Sequence, residues 1–289
     1  MKKYLSTVVL LLLLTGHCLA QRTVQDELGR KVVVPETPHR IITLAPSITD
    51  TVYAIGAGAD IVGVSNYTKY PEDATKKPKV GEPLNPSIET IVALHPDLVL
   101  AIQDMNRAET VEQLEKLGIP VFMVNPHGIT GIYTSVANLG DVLNRKRDAD
   151  DLLARLHSRE QAVRNRVKGR AGPRVFFVVW PDPVMTAGKD AFVTELIETA
   201  GGKSVTDDLP QDWPQISLEA LVARKPDFLI FVRGQFVIDD LKKKPGWNSL
   251  EAVKANHVFY TDDRIIHPSP VAFDALEDLA NQFHPLAAH

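Results

Sequence analysis

Cysteine is almost missing from this chain of 289 residues: the one instance is Cys18, close to the start. A disulfide framework or a thiolate metal site needs several cysteines, so both are excluded. Aromatic residues make up 7% of the chain, so each one placed in a loop is informative. Neither sign of charge prevails. The 32 Lys and Arg against 36 Asp and Glu leave a formal net charge of −4, which gives no reason to expect nucleic acid or an anionic surface as partner. Catalytic signatures are missing too: there is no G-x-S-x-G elbow, no G-x-x-x-x-G-K-[ST] loop and no H-E-x-x-H helix. Gly56-Ala57-Gly58 lacks the third glycine of a dinucleotide loop and follows a helical stretch, so it reads as a helix end. The eight histidines after His17 are scattered without ligand-like spacing, and no metal site is expected.

What the chain does have is a sentence written twice. Ser87 to Ala101 reads SIETIVALHPDLVLA and Ser217 to Phe231 reads SLEALVARKPDFLIF, an offset of 130 residues (217 − 87). Six positions are identical: Ser, Glu, Val, Ala, Pro and Asp. The offset is too long for a solenoid unit of about 20 to 50 residues, so it implies two similar lobes, each with its own core, facing across a cleft. Within each copy a serine caps a short helix, apolar residues recur at helical spacing, a proline stops the helix and an apolar strand follows. The fold class is therefore α/β: two similar Rossmann-like lobes with mostly parallel sheets.

Lys2 and Lys3, the apolar run Val8 to Leu14 and Cys18-Leu19-Ala20 have the order of a secretory signal, with cleavage expected after Ala20. The apolar run is far shorter than the ~20 residues of a membrane span. A lipoprotein anchor at Cys18 is the rival reading, disfavoured by His17 just before it. The organisation expected is a signal peptide over 1–20, an N-terminal lobe over 21–143, a linker over 144–170 and a C-terminal lobe over 171–289. In the linker, Lys146 to Val167 contains no Pro or Gly and carries an apolar stripe on a charged background, a helix of roughly 30 Å at 1.5 Å per residue. Asp26 to Arg30 reads as a turn feeding a strand, Arg40 to Ala45 as a buried strand, and Ser47 with Asp50 as an Asp version of a capping box.

Aromatic and polar residues gather in loops just after strands, where open α/β sheets bind ligands. Pro46 follows the first strand; Tyr67 and Tyr70 lie in SNYTKYP; Trp180 lies in VVWPDP and Trp213 in DWPQIS; Asp262, Asp263, Arg264 and His267 fill a loop after the last strand. Trp247, at helical spacing with Leu250 and Val253, reads as core instead. Glu89 and Glu219 occupy the same repeat position. An acid in the first turn suits the helix dipole by ~0.3–1 kcal/mol wherever it stands, yet the dipole does not require both lobes to place it identically. Two matched acids suit a dimeric partner bearing arginines.

The opening VQDELGRKVVVPETPHRIITLAPSITDTVYAIGAGADIVGVS, the paired SIETIVALHPDLVL and SLEALVARKPDFLI, and NSLEAVKANHVFYTDD resemble the iron-complex and cobalamin family of ABC-transporter solute-binding proteins, from about Val24 to the last helix. The resemblance implies two lobes bridged by one long rigid helix, an exported periplasmic monomer, and no catalysis or cofactor. It implies a corrinoid held by Pro46, Tyr67, Trp180, Trp213, Asp263 and His267, and a permease dimer in the inner membrane met by Glu89 and Glu219. There are departures: Val80 to Pro86 holds no tryptophan where cobalamin-binding members present one, and His267 stands near a place expected to hold arginine. A ferric siderophore or haem is the alternative ligand. An enzyme or metallochelatase on a two-lobed scaffold, or a ligand sensor, are the alternatives outside transport.

Overall fold

The computed structural model describes residues 20–234 and 237–285; of the leader expected over 1–20, residues 1–19, Cys18 among them, lie outside these. An antiparallel hairpin comes first, β1 (Gln21–Gln25) and β2 (Lys31–Pro35). The Asp26 carboxylate closes its turn by accepting from the backbone N–H groups of Leu28 and Arg30 at 3.1 and 2.9 Å. The N-terminal lobe continues with β3 (Ile41–Thr43), α1 (Pro46–Ala54), β4 (Ile61–Val64), α2 (Glu72–Thr75), the tiny hairpin β5 (Gly81–Glu82) and β6 (Asn85–Pro86), and α3 (Ile88–Ala93). Then come β7 (Leu98–Ile102), α4 (Ala108–Lys116), β8 (Val121–Val124) and α5 (Gly128–Val142). After α6 (Lys146–Val167), the second lobe runs through β9 (Arg174–Val178), β10 (Trp180–Pro181), β11 (Val184–Met185), α7 (Phe192–Thr199), β12 (Lys203–Ser204) and α8 (Leu218–Arg224). It ends with β13 (Phe228–Val232), α9 (Ile238–Lys242), α10 (Glu251–Lys254), β14 (Val258–Thr261) and α11 (Ala272–Phe283).

The two main sheets have the same topology. Strand order is β4-β3-β7-β8 in one and β12-β9-β13-β14 in the other, parallel throughout. In both, the lobe's first strand lies between its second and third. The chemistry of the repeated segment explains why the copies stay alike. Ser87 Oγ accepts from the Thr90 N–H and Ser217 Oγ from the Ala220 N–H, each at 3.1 Å. Asp97 accepts from the N–H groups of His39 and Arg40 at 2.8 and 3.0 Å, and Asp227 accepts from the Arg174 N–H at 2.9 Å. Arg40 Nε reaches back to the His95 carbonyl and Arg174 Nε to the Lys225 carbonyl, at 2.9 and 3.2 Å. His95 and Lys225, themselves 130 apart (225 − 95), both take the left-handed conformation, with φ of +46° and +47°. The Pro-Asp pair thus pins the start of each lobe's third strand to the start of its first.

The cores are less separate than the repeat implies. Alternate residues of each strand face opposite ways. Val99, Ala101, Val121 and Met123 enter a core private to the first lobe, and Phe176, Val178, Leu229 and Phe231 one private to the second. Their neighbours Leu98, Leu100, Phe122, Val175, Phe177 and Ile230 join a single core that runs through both lobes with α5, α6, α7 and α11. Each lobe thus has the core of its own that the repeat implies, and a third core is shared between them: each sheet needs cover on its second face, and the shared helices supply it.

Helix α6 is the expected long connector, 22 residues and about 33 Å long. Ala149, Leu152, Leu156 and Val163 are its buried stripe. A side chain at Gly140 would collide with Ala149, so α5 and α6 pack closely. On the other lobe, Arg159 donates to Glu277 and Asp274 of α11 at 2.6 and 2.7 Å. The capping box expected at Ser47 is not formed. Ala45 is the cap residue and Pro46 the first helical one, a position where proline's missing N–H costs nothing. Trp247 is core, 2% exposed.

Candidate ligand cleft and docking face

Open parallel sheets bind ligands beyond the carboxyl ends of their strands, where the strand order reverses. In the first lobe that point follows β3, and Pro46 stands there, buried, opening α1. The loop after β4 carries Tyr67, 49% exposed. Its backbone is anchored to the β5–β6 hairpin: Asn66 N–H donates to the Gly81 carbonyl at 2.8 Å and Gly81 N–H returns to Asn66 Oδ1 at 3.1 Å. The hairpin raises Leu84 into solvent and places Glu82 near Tyr67, whose hydroxyl pKa the Glu82 charge raises.

In the second lobe the point follows β9, where Trp180 opens the β10–β11 hairpin. Segment 212–216 lies along the same hairpin: Thr186 N–H donates to Pro214 O at 3.1 Å, Gly188 N–H to Asp212 O at 2.8 Å and Ile216 N–H to Val184 O at 3.0 Å. One stitched platform therefore carries both indoles, Trp180 at 48% and Trp213 at 42% exposure. Trp180 Nε1 donates to the Asp182 carbonyl at 2.9 Å, so the one polar donor of the ring is already engaged. Beside it is a cavity of about 880 Å³ lined by Trp180, Asp182, Arg233, Val237, Lys244 and Tyr260 among others. Of the six ligand residues expected from sequence, only Trp180 lines it. Sequence reasoning missed Arg233, Lys244 and Tyr260; their proximity depends on the ends of β13, α9 and β14 converging.

Asp263 and His267 lie in the loop after β14, but neither is idle surface. Asp263 Oδ2 accepts from Lys69 Nζ at 2.6 Å. His267 is half-buried, its Nδ1 is enclosed without a hydrogen-bond partner among the described residues, and burial holds its pKa below the ordinary 6.5, so the ring is neutral at pH 7. Burial would raise the carboxyl of Asp262, but the Arg264 N–H and guanidinium, bonded at 3.0 and 2.9 Å, hold it below the usual range. Deeper in, Ser269 Oγ donates to Asp50 Oδ2 at 3.4 Å, a contact from one lobe to the other.

Glu89 and Glu219 are exposed on the first turns of α3 and α8, and neither has an ion partner among the described residues. The repeat's identities divide cleanly. Ser, Pro and Asp have internal duties, whereas Glu89, Val92 and Ala93 fall at i, i+3 and i+4 on one outward helix face, as do Glu219 and Ala223, with the intervening Val222 half-buried against the second lobe's core. Val92 is 38% exposed. Among the described residues no group of His, Cys, Asp and Glu is arranged to hold a metal ion, and no helix is long and apolar enough to cross a membrane.

Comparison with known proteins fits this geometry. The chain is 31% identical over 271 residues to the ABC transporter substrate-binding lipoprotein YvrC of Bacillus subtilis (strain 168), covering 91% of this chain and 85% of that one. It is 30% identical over 206 residues to the vitamin B12-binding protein of Yersinia pestis (strain Pestoides F), covering 71% and 74%. The periplasmic heme-binding protein RhuT from Roseiflexus sp. RS-1, in apo form, superposes with a TM-score of 0.79 at 25% identity, over 85% of this chain and 98% of that one. The first of these is by name a substrate-binding protein of an ABC transporter, and the other two are named for the vitamin B12 and the heme they bind; none is named for an enzymatic activity. A model of periplasmic binding proteins matches residues 41–265, from the first strand of one lobe to the loop after the last strand of the other, and the chain belongs to that family.

Proposed function

We propose that this protein captures a corrinoid between its lobes, in the periplasm, and hands it to the dimeric permease of an ABC importer. The carrying observation is the pair of exposed indoles, Trp180 and Trp213, on one stitched platform at the carboxyl edge of the second sheet. Flat apolar faces of this kind contribute large contact area at small rotamer cost. Pro46 and Tyr67 form the facing wall, with His267 at one edge and Asp263 held beside it by Lys69. The similarity to a vitamin B12-binding protein supports this choice of cargo. Glu89 and Glu219 dock the permease: the same repeat position, exposure in both lobes and no ion partner among the described residues suit one arginine-bearing site per permease subunit.

Arg233 and Lys244 in the cavity beside Trp180 favour a second reading, haem or a ferric siderophore, whose carboxylate-type groups would meet those cations. Titration of the leaderless protein with cobalamin and with haem, followed by tryptophan fluorescence, separates the two. The corrinoid reading expects quenching by cobalamin and a loss of about tenfold or more in affinity in Trp213→Ala, the scale of a central aromatic contact. Indifference to cobalamin with tight haem binding transfers the assignment to the second reading.

A further inference from the structure

The loops at one edge of the cleft are joined to each other. Strand β4 is one edge strand of the first sheet and β14 one edge strand of the second. The loops that leave their carboxyl ends, 65–71 and 262–269, belong to different lobes. Lys69 Nζ donates to Asp263 Oδ2 at 2.6 Å, across 194 residues of sequence. Next to it the Tyr70 hydroxyl donates to Asp262 Oδ2 at 3.4 Å, and the Arg264 guanidinium lies 4.9 Å from the centre of the Tyr70 ring. Both halves are anchored from behind. On the first lobe, the Thr68 carbonyl accepts from Lys79 Nζ at 3.0 Å and the Thr68 hydroxyl meets that of Thr49 in α1 at 3.4 Å. On the second, Asp262 Oδ1 holds the N–H and Nε of Arg264.

We propose that Lys69 and Asp263, with Tyr70 and Asp262 beside them, form an inter-lobe latch that fixes the spacing of the two ligand walls, and that Lys69 and Asp263 are positioning residues for ligand retention rather than ligand contacts. An ion pair within one lobe adds only to that lobe's stability. A pair between lobes acts on their separation, because opening the cleft at this edge must break it. An exposed pair is weak, and its loss shifts an equilibrium about 2- to 5-fold; the cation–π contact at Tyr70 adds a comparable factor. The pair reaches solvent at Lys69, so salt weakens the latch.

The test has two arms. For the first, cysteines are introduced at the exposed positions Lys116 and Glu251, one on each lobe, and spin-labelled in the leaderless protein. The inter-label distance distribution is compared in the otherwise wild-type protein, Lys69→Met, Asp263→Asn, the double variant and Lys69→Arg, without ligand. The latch expects broadening toward longer distances in both single variants, no further broadening in the double, and recovery in Lys69→Arg. The second arm is the dissociation rate of cobalamin, expected to rise about 2- to 5-fold in each single variant and to lose its salt dependence there. This arm rests on the corrinoid reading: if cobalamin does not bind the wild-type protein, that reading fails and the label distances alone decide the latch. Unchanged distances in Lys69→Met and Asp263→Asn would overturn it, as would slower cobalamin release in Lys69→Met, which would make Lys69 a competitor of the ligand for Asp263.

Discussion

Replacing Asp50 by asparagine should stabilise the protein, and more so as the pH rises. Asp50 is buried in α1, its carboxylate at the boundary between lobes, with the Ser269 hydroxyl 3.4 Å away. Burial pushes its pKa from 3.8 up to about 7; Ser269 and the Arg264 charge offset part of that, while Asp263 and Asp262 add to it. The difference (7 − 3.8), at 1.36 kcal/mol per pKa step, corresponds to about 4 kcal/mol. The folded protein binds this proton more tightly than the unfolded chain. Asp50 therefore costs nothing below about pH 4, its cost grows as pH rises to about 7, and it is constant above that. Asparagine is uncharged at every pH and can still accept from Ser269. Denaturant unfolding of both proteins at pH 4, 5.5, 7 and 8 should give equal stabilities at the acid end, with the variant ahead by about 2–4 kcal/mol at the other. Taking the difference between proteins cancels the other titrating groups. A difference that does not vary with pH would refute the reasoning, because it would mean Asp50 ionises as readily folded as unfolded.

Two further expectations separate the duties of the repeated residues. Glu89→Lys and Glu219→Lys should each weaken binding to the membrane-embedded permease complex at least tenfold, the cost of an unpaired interfacial charge, while ligand affinity measured by fluorescence stays within about twofold. Asp97→Ala should do the opposite. It removes a carboxylate that accepts from the N–H groups of His39 and Arg40, so urea unfolding should show a loss of about 2 kcal/mol with permease binding intact.

Helices and strands were legible wherever the cause was local. The paired serines, the helix-stopping prolines and the apolar strands of the repeat all stand where the chain places them, as does the uninterrupted stripe of α6. Ser47 misled because a capping pattern was read without weight for the proline before it; Pro46 is pre-set for the first helical turn and leaves serine inside the helix. The exposure of Trp180 and Trp213 is legible because an indole flanked by Pro and Asp has no helical or strand periodicity to bury it. The cavity cations Arg233 and Lys244 carried no such mark, since a lone Arg or Lys in a polar stretch is the commonest kind of surface residue.

Sequence alone determined the duplication, the α/β character of each half, the long connector and the equivalence of Glu89 and Glu219, because each is a relation between near neighbours or between two copies of one text. Only tertiary structure decided that the halves share a core, since whether the second face of a sheet is covered by its own helices or by common ones depends on packing and not on period. Only it gave Asp263 a lysine partner 194 residues away and turned Asp50 from a helix cap into a buried acid between lobes. Electrostatic partners act through space at a few ångströms, and no spacing along the chain encodes which distant loops will come within that reach.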